Sequence, residues 1–511
     1  MTSLSEHDRE DMQGLLARGF GQLPVSAFCL FSVVTPLRAR AYLMDIITSL
    51  LAANQRPQET ALQLAMTAKG LDALGLPKKI LALFSDPFRS GIDTPHKRRI
   101  LGDTGASAPE AWDWGGPKSE PVHIMLLCYA STTVNLSNLV KQQISAAEGS
   151  GLSLIKRLSG QTLQDNREHF GFKDGLAQPY IAEFDSRKEG NDRRAVPLGE
   201  FVLGYPNGYD QFTQRPLIAP EADNDQLLPE DLAGSGLRDL GRNGSYLVYR
   251  QLEQDVVSFW RFLFQQAPKL AMTPAGQDAD SDLQAVCLAA KMVGRWPNGA
   301  PLVKAPMLQD AQAFAKFTTE TLDDFLYHHE DQLGHKCPLG AHIRRANPRD
   351  SLDPEPGSEQ SLAFSDRHRL LRRGRPYGDP ICDPLDPKTI LQRLVAAEAP
   401  ADNTQVSRLE DESVVGRGLH FMCLGANIQR QFEFVQYTWC TNPNFNGLYN
   451  DPDPIMGDRA VHGQKHDNFT LQDPFIRRQV RGLPEFIKTR GGAYFFMPGK
   501  RALRYMLMQC E

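Results

Sequence analysis

Three short segments, far apart in the chain, carry side chains whose types together suit proton and electron chemistry at a bound metal. They are Gly171-Phe172-Lys173-Asp174-Gly175, Gly340-Ala341-His342-Ile343-Arg344, and Arg372-Arg373-Gly374-Arg375-Pro376-Tyr377-Gly378. The first offers a carboxylate in a glycine-framed turn, the second a histidine among apolar and basic neighbours, and the third a doublet of arginines. A histidine can ligate a metal, a carboxylate can move protons between oxygens, and a guanidinium can steady negative charge as it develops. They make a site only if the fold gathers them.

Each segment also has a plain structural use. Glycines around an aspartate suit an ordinary turn, because glycine takes positive φ and aspartate bonds its own backbone. The continuation Leu176-Ala177-Gln178-Pro179 stays close-packed where a surface turn would drift polar. At His342, the small residues Gly340 and Ala341 would let a flat macrocycle approach the backbone. His328, His329, His335, His420, His462 and His466 are rivals by type, but none has small residues on one side and a basic cluster on the other. Arg344, Arg345 and Arg349 suit the carboxylates of a ligand, or a solvated positive face. Arg372 and Arg373 emerge from Leu370-Leu371, and an arginine there calls for a negative partner such as Asp174 or a ligand oxygen.

Those residues must be positioned by a chain of 511 residues, long enough for more than one core. With 41% hydrophobic and 23% charged residues, it has the balance of an ordinary globular protein. A net charge of -5 supplies no basic field, so nucleic acid is not an expected partner. No apolar run approaches the roughly 20 residues of a membrane helix, so no membrane span is expected. The polar, acidic start has no signal pattern, and the eight cysteines are dispersed without a C-x-x-C pair. A cytoplasmic protein with reduced thiols is the expectation.

Apolar runs at 27–34, 123–130, 244–252, 418–424 and 493–497 predict strands. Amphipathic stretches at 39–53, 134–147, 255–266, 428–437 and 501–508 predict helices. The alternation fits an α+β fold of antiparallel sheets with helices on one face, in two units, 1–240 and 241–511. The Pro/Gly/Asp-rich stretches at 353–359, 376–387 and 442–458 are long connections placed to rim an access channel.

In order along the chain, GFKDG-LAQP, CPLGAHIRRANPRD and RRGRPYG resemble the dye-decolorising peroxidase family. Further stretches agree: Asn243–Arg250, Val293–Pro297 and Gly492–Phe496. The resemblance implies two ferredoxin-like units, with haem b held mainly by the second. It implies reduction of hydrogen peroxide and oxidation of dyes, phenols and similar one-electron donors through a ferryl intermediate. Asp174 matches the distal aspartate, His342 the axial ligand, and Arg372 the distal arginine, with Arg373 the alternative. The expected cofactor contacts are His342, Gln178, Arg344, Leu419, Phe421 and Asn427. Asn427 is the match for the partner of the axial histidine, with Asp451 or Asp453 as alternatives. An acidic optimum is expected, since an aspartate near its ordinary pKa of ~3.9 remains a base where a histidine is protonated. Surface oxidation of bulky donors would need an aromatic relay, for which Trp112 and Trp114 are the surface candidates over Trp260, Trp296 and Trp439. The competing reading keeps the pocket but makes the chain a haem carrier or an iron-releasing protein. Exposed strand edges leave a homo-oligomer open.

Overall fold

The computed structural model describes residues 4–184, 195–270, 281–313, 319–398, 416–460 and 463–510. Its most buried strands form where apolar and β-branched residues run without charge. Val25–Val33 (β1) reads VSAFCLFSV and is buried at every interior position. Thr60–Met66 (β2) and Ile124–Ala130 (β3) are buried almost throughout. Leu152–Gln161 (β4) is half exposed, with Lys156 and Arg157 along it, as befits a sheet edge. The later strands are Ser245–Gln254 (β5), Leu371–Arg372 (β6), Arg375–Tyr377 (β7), Gly418–Gly425 (β8) and Ile487–Met497 (β9).

All of them join one nine-stranded sheet in the order β4-β1-β3-β2-β9-β5-β8-β6, with β7 also on β8. Every pairing is antiparallel. Strands before residue 162 fill one half, and those after 244 fill the other. The two halves meet where Phe496 of β9 pairs with Met66 of β2. This mixed α+β architecture of antiparallel strands matches the expected fold class.

Helices cover the sheet. Pro36–Ile46 (α1) starts on a proline, which is pre-set for the first helical position. Thr133–Gly149 (α2) is capped by Thr132, whose hydroxyl accepts from Asn135 N at 3.1 Å. With the C-terminal helix they enclose a core including Leu126, Tyr246, Val248 and Phe496. The opposite face packs Leu127, Tyr249, Met422 and Phe495 beneath the N-terminal residues Met12–Leu23. In the second half, Val256–Gln266 (α3) and Ser281–Val293 (α4) build a further core with Phe170, Phe172 and Phe486.

The helix expected at 428–437 is present in a widened form. The segments Gln429–Glu433 and Val435–Thr441 bond five residues back, as from Glu433 N to Ile428 O at 3.0 Å. Strands β2 and β4 were not among the expected elements. TALQLAM has no clear period, and LSLIKRLSGQ carries two charges in its middle.

Candidate active site

His342 opens the short helix His342–Ala346 (α5). The end of α4 approaches it closely at Gly294, whose φ is +97°. A Cβ there would lie 2.5 Å from Ile343, so glycine is required for this contact. Arg345 clamps the other side of α5, donating to Trp439 O at 2.6 Å, Asn442 O at 3.0 Å and Asp451 O. That clamp brings the loop at 442–458 under the histidine. Asp453, fully buried, meets His342 Nδ1 through Oδ2 at 2.9 Å, and its Oδ1 accepts from Ile455 N at 2.8 Å and Met456 N at 3.1 Å. Nδ1 therefore carries the proton, and Nε2 is left with its lone pair toward the cavity. Burial alone would lower the pKa of His342, but the charge and hydrogen bond of Asp453 outweigh it and raise it.

Asp174 lines the same cavity. Its turn is pinned by Asp174 N to Asn166 O at 2.9 Å and Lys173 N to Pro297 O at 3.1 Å. Arg372 lies on β6, paired with Cys423 of β8, and its Nη1 donates to Asp174 Oδ1 at 2.9 Å. Burial pushes the Asp174 carboxyl up, but Arg372, the Gly175 amide and His342 together hold it below its usual range. Side-chain exposures of 41% for Asp174, 31% for Arg372 and 30% for His342 look out of place for residues deep in the fold. All three open onto one internal cavity of about 300 Å³. Leu419 and Phe421 of β8, Arg250 and Leu252 of β5, Ile343, Ala346, Phe432 and Val435 complete much of its wall.

The fold thus gathers Asp174, Arg372, His342, Leu419 and Phe421, and places the other expected contacts elsewhere. Gln178 does not line the cavity. Its amide receives Arg372 N and donates to Arg372 O, both at 3.2 Å, and so fixes the backbone that presents the arginine. Arg344 is fully buried away from the cavity, bonded to Asp331 Oδ2 at 3.3 Å and Cys337 O at 2.9 Å, so it is not available to ligand carboxylates. Arg345 and Arg349 are likewise committed to protein oxygens. Asn427 caps the widened helix by accepting from Arg430 N at 2.9 Å, and Asp453 holds the position expected of it. Arg373 donates to Leu15 O and Leu16 O, which leaves Arg372 as the arginine beside Asp174.

Gly340 and Ala341 pack into protein, and the small residue that α5 places on the cavity wall is Ala346. Of the rival histidines, His462 lies outside the described residues and none of the others lines the cavity. Trp112 and Trp114 are 6% and 0% exposed, so neither is a surface residue. The exposed tyrosines among the described residues are Tyr209, Tyr437 and Tyr449.

Haem fits this donor set. Among the described residues, no group of three His, Cys, Asp or Glu side chains could hold a bare metal ion. A metal bound by His342 would take further ligands from outside these side chains, as a metal carried in a macrocycle does. The wall is largely apolar, and buried donors on it lack a protein partner: Arg250 Nε and Nη1, and Asn347 Nδ2. They suit the carboxylates of a haem.

No family model matches the chain, but whole proteins do. Peroxidase 2 of Mycetinis scorodonius is 29% identical over 512 residues, covering 94% of this chain and 84% of that one. Multifunctional dye peroxidase DyP2 of an Amycolatopsis species is 29% identical over 410 residues, covering 78% and 74%. The crystal structure of a fungal DyP-type peroxidase from Auricularia auricula-judae superposes with a TM-score of 0.72 at 25% identity, over 99% of this chain and 100% of that one. Fold, whole-length similarity and the Asp174–Arg372 and His342–Asp453 pairs agree, and over nearly its whole length the chain is similar to dye-decolorising peroxidases.

Proposed function

We propose that the chain is a haem b peroxidase that reduces hydrogen peroxide at the expense of dyes, phenols and similar one-electron donors. The observation that carries this reading is the placement of an ionised carboxylate with its arginine on the same cavity as a histidine whose other nitrogen is already bonded. A carrier or iron-releasing protein needs the histidine but has no use for Asp174 held ionised by Arg372.

Haem, when bound, supplies the redox chemistry, taking oxidising power from peroxide and returning it to donors one electron at a time. His342 would hold the haem iron through Nε2, and Asp453 keeps the ring in the tautomer that this needs and makes it a stronger donor. Asp174 takes the proton from one peroxide oxygen and gives it to the other, which leaves as water. Arg372 keeps Asp174 ionised and offers N–H groups to the negative charge that grows on the departing oxygen. Leu419 and Phe421 keep this side apolar and limit water. Arg250 and Asn347 are the groups placed to hold the haem carboxylates.

Donors too large for the cavity pass electrons from the surface. Tyr437, 47% exposed and next to Gln436 on the cavity wall, is placed for that. We take the chain as two units, 1–240 and 241–511. The first lends the wall the segments around Leu101 and Asp174, and the second lends most of the rest. The unpaired thiols of all eight cysteines favour a reducing compartment such as the cytoplasm.

Titrating haem into the apo-protein tests the reading. Wild type should develop a Soret band at one equivalent and then turn over a phenolic donor with peroxide, whereas His342→Ala should hold haem loosely. Normal haem binding in His342→Ala would rule out the axial assignment.

A further inference from the structure

A second carboxyl group stands on the same cavity wall, and the proposed reaction as described leaves it idle. Glu168 lies six positions before Asp174, and its Oε2 accepts from Phe170 N at 2.9 Å while Oε1 accepts from Phe172 N at 3.0 Å. Its third contact is unusual. Gln254 of β5 approaches Oε2 through the amide nitrogen at 2.6 Å, while the buried Oε1 of Gln254 has no hydrogen-bond partner. A separation of 2.6 Å is short for N–H···O and ordinary for O–H···O. Turned over, the Gln254 amide presents its oxygen to Glu168, and a proton on the carboxyl group makes the bond. The turn exchanges the unpartnered amide oxygen for the amide NH2 at the same buried position, so the short separation is what favours it.

We propose that Glu168 is a neutral carboxylic acid bonded to Gln254 Oε1, and that it is the group from which the cavity draws an external proton during peroxide reduction. The role in the reaction rests on the peroxidase reading; the protonation of Glu168 does not. Over a full turnover each hydrogen peroxide takes two electrons from the donors and two protons from outside, and leaves as two waters. Asp174 relocates a proton the peroxide already carries. Glu168 breaks its O–H bond, gives that proton to oxygen in the cavity, becomes a carboxylate and is reprotonated from solvent.

The surroundings favour the division of labour. With Gln254 donating, burial pushes Glu168 up to about 7 against the lowering effect of its hydrogen bonds, and the negative Asp174 pushes the same way. With the amide turned over, the lowering by Gln254 is lost and the group is held neutral further still. The other acidic, basic and histidine side chains on the surrounding wall are Asp103, Lys173 on the same loop, Arg250 on β5, Arg295 after α4, His342 on α5, Arg369, Arg372 on β6, and Asp458 and Glu485 ahead of β9. Arg372 is committed to Asp174, and Arg250 bonds Asp103 and Thr489. Two carboxyl groups on one wall, one held ionised and one held neutral, are the usual basis for separate base and acid roles.

Infrared difference spectra of the haem-loaded protein, recorded from acid to alkaline pH without peroxide, test the protonation. Wild type should show a protonated-carboxyl band that is lost only as pH rises past about 7, and Glu168→Gln should lack it. Absence of the band in wild type, or its survival in the variant, overturns the proposal. Gln254→Met tests the direction of the hydrogen bond. Removing an acceptor from the neutral acid should lower the midpoint by about one pH unit, whereas a rise would mean that Gln254 donates to a carboxylate and overturns it. In rapid mixing with peroxide and donor, Glu168→Gln should lose the alkaline fall in turnover and keep the acid one. An unchanged alkaline limb overturns the donor role. Wild type that shows the band but no reaction with peroxide overturns that role through the peroxidase reading, with the protonation of Glu168 intact.

Discussion

His342 gives the Nδ1 side of its ring to Asp453, 2.9 Å away and wholly buried, and so keeps Nε2 for the cavity. The carboxylate comes from a loop 111 residues further on, held in place by Arg345 and by the amides of Ile455 and Met456. The ring orientation is therefore set by the protein before any ligand arrives.

Loss of that carboxylate should weaken haem binding. Asp453→Asn keeps the shape of the group but not its charge, and affinity should fall by about 10- to 100-fold, the usual effect of removing a carboxylate behind a ligating histidine. Soret titration measures it. Unchanged affinity would mean that α5 alone positions the ring.

The acid limit of the peroxide reaction should follow Asp174. Its folded pKa lies below the usual value, chiefly because Arg372 offsets burial. The base is therefore present above that lowered value and lost as pH falls through it. In Arg372→Ala the acid limb should move up by about 1 to 3 pH units, read from rapid-mixing rates across the acid range. A limb that stays in place would mean another group carries the proton.

Arg373 should behave in the opposite way to its neighbour. Its guanidinium holds Leu15 O at 2.7 Å and Leu16 O at 3.0 Å, bonds that tie the N-terminal segment over the sheet. Arg373→Ala should cost about 2 kcal/mol or more of stability with little change in the rate with peroxide. Thermal melts and rapid mixing on the same samples separate the two effects.

His420 makes stability depend on pH. Burial lowers its pKa to about 4; Tyr249 and Ser159 O bond its two nitrogens. The unfolded chain takes up a proton below ~6.5 while the fold refuses it. The stability His420 provides is thus full above that value and is lost as pH falls toward about 4. The gap in melting temperature between wild type and His420→Gln should narrow over that interval. A constant gap would contradict a buried neutral histidine.

Asp174, His342 and Arg372 were legible from three motifs in order along the chain, since each segment alone also has an ordinary structural use. They are a carboxylate in a tight glycine turn, a histidine beside a basic cluster, and an arginine leaving an apolar strand. Asp453 was offered only as an alternative to Asn427, since the loop carries Asp451, Asp453 and Asp458 and spacing cannot rank them. What selects Asp453 is the Arg345 clamp, a tertiary contact. Arg344 misled for the complementary reason. Its partner Asp331 is thirteen residues upstream and neutralises a charge that, read alone, looked available. The tryptophans near residue 113 sit in a polar stretch, yet Trp114 is wholly buried against Tyr249 and bonded to Gln251. In the same way β4 hid because its charges suit an edge, and edges exist only once the sheet is assembled.

The most direct test of the Asp174–Arg372 pair as the peroxide-handling group is the rate at which one equivalent of peroxide changes the Soret spectrum of haem-loaded protein in acid. Asp174→Asn should bind haem normally and respond about 10²- to 10⁴-fold more slowly than wild type, the usual loss on removing a general acid–base. An undiminished rate in that variant would contradict the assignment.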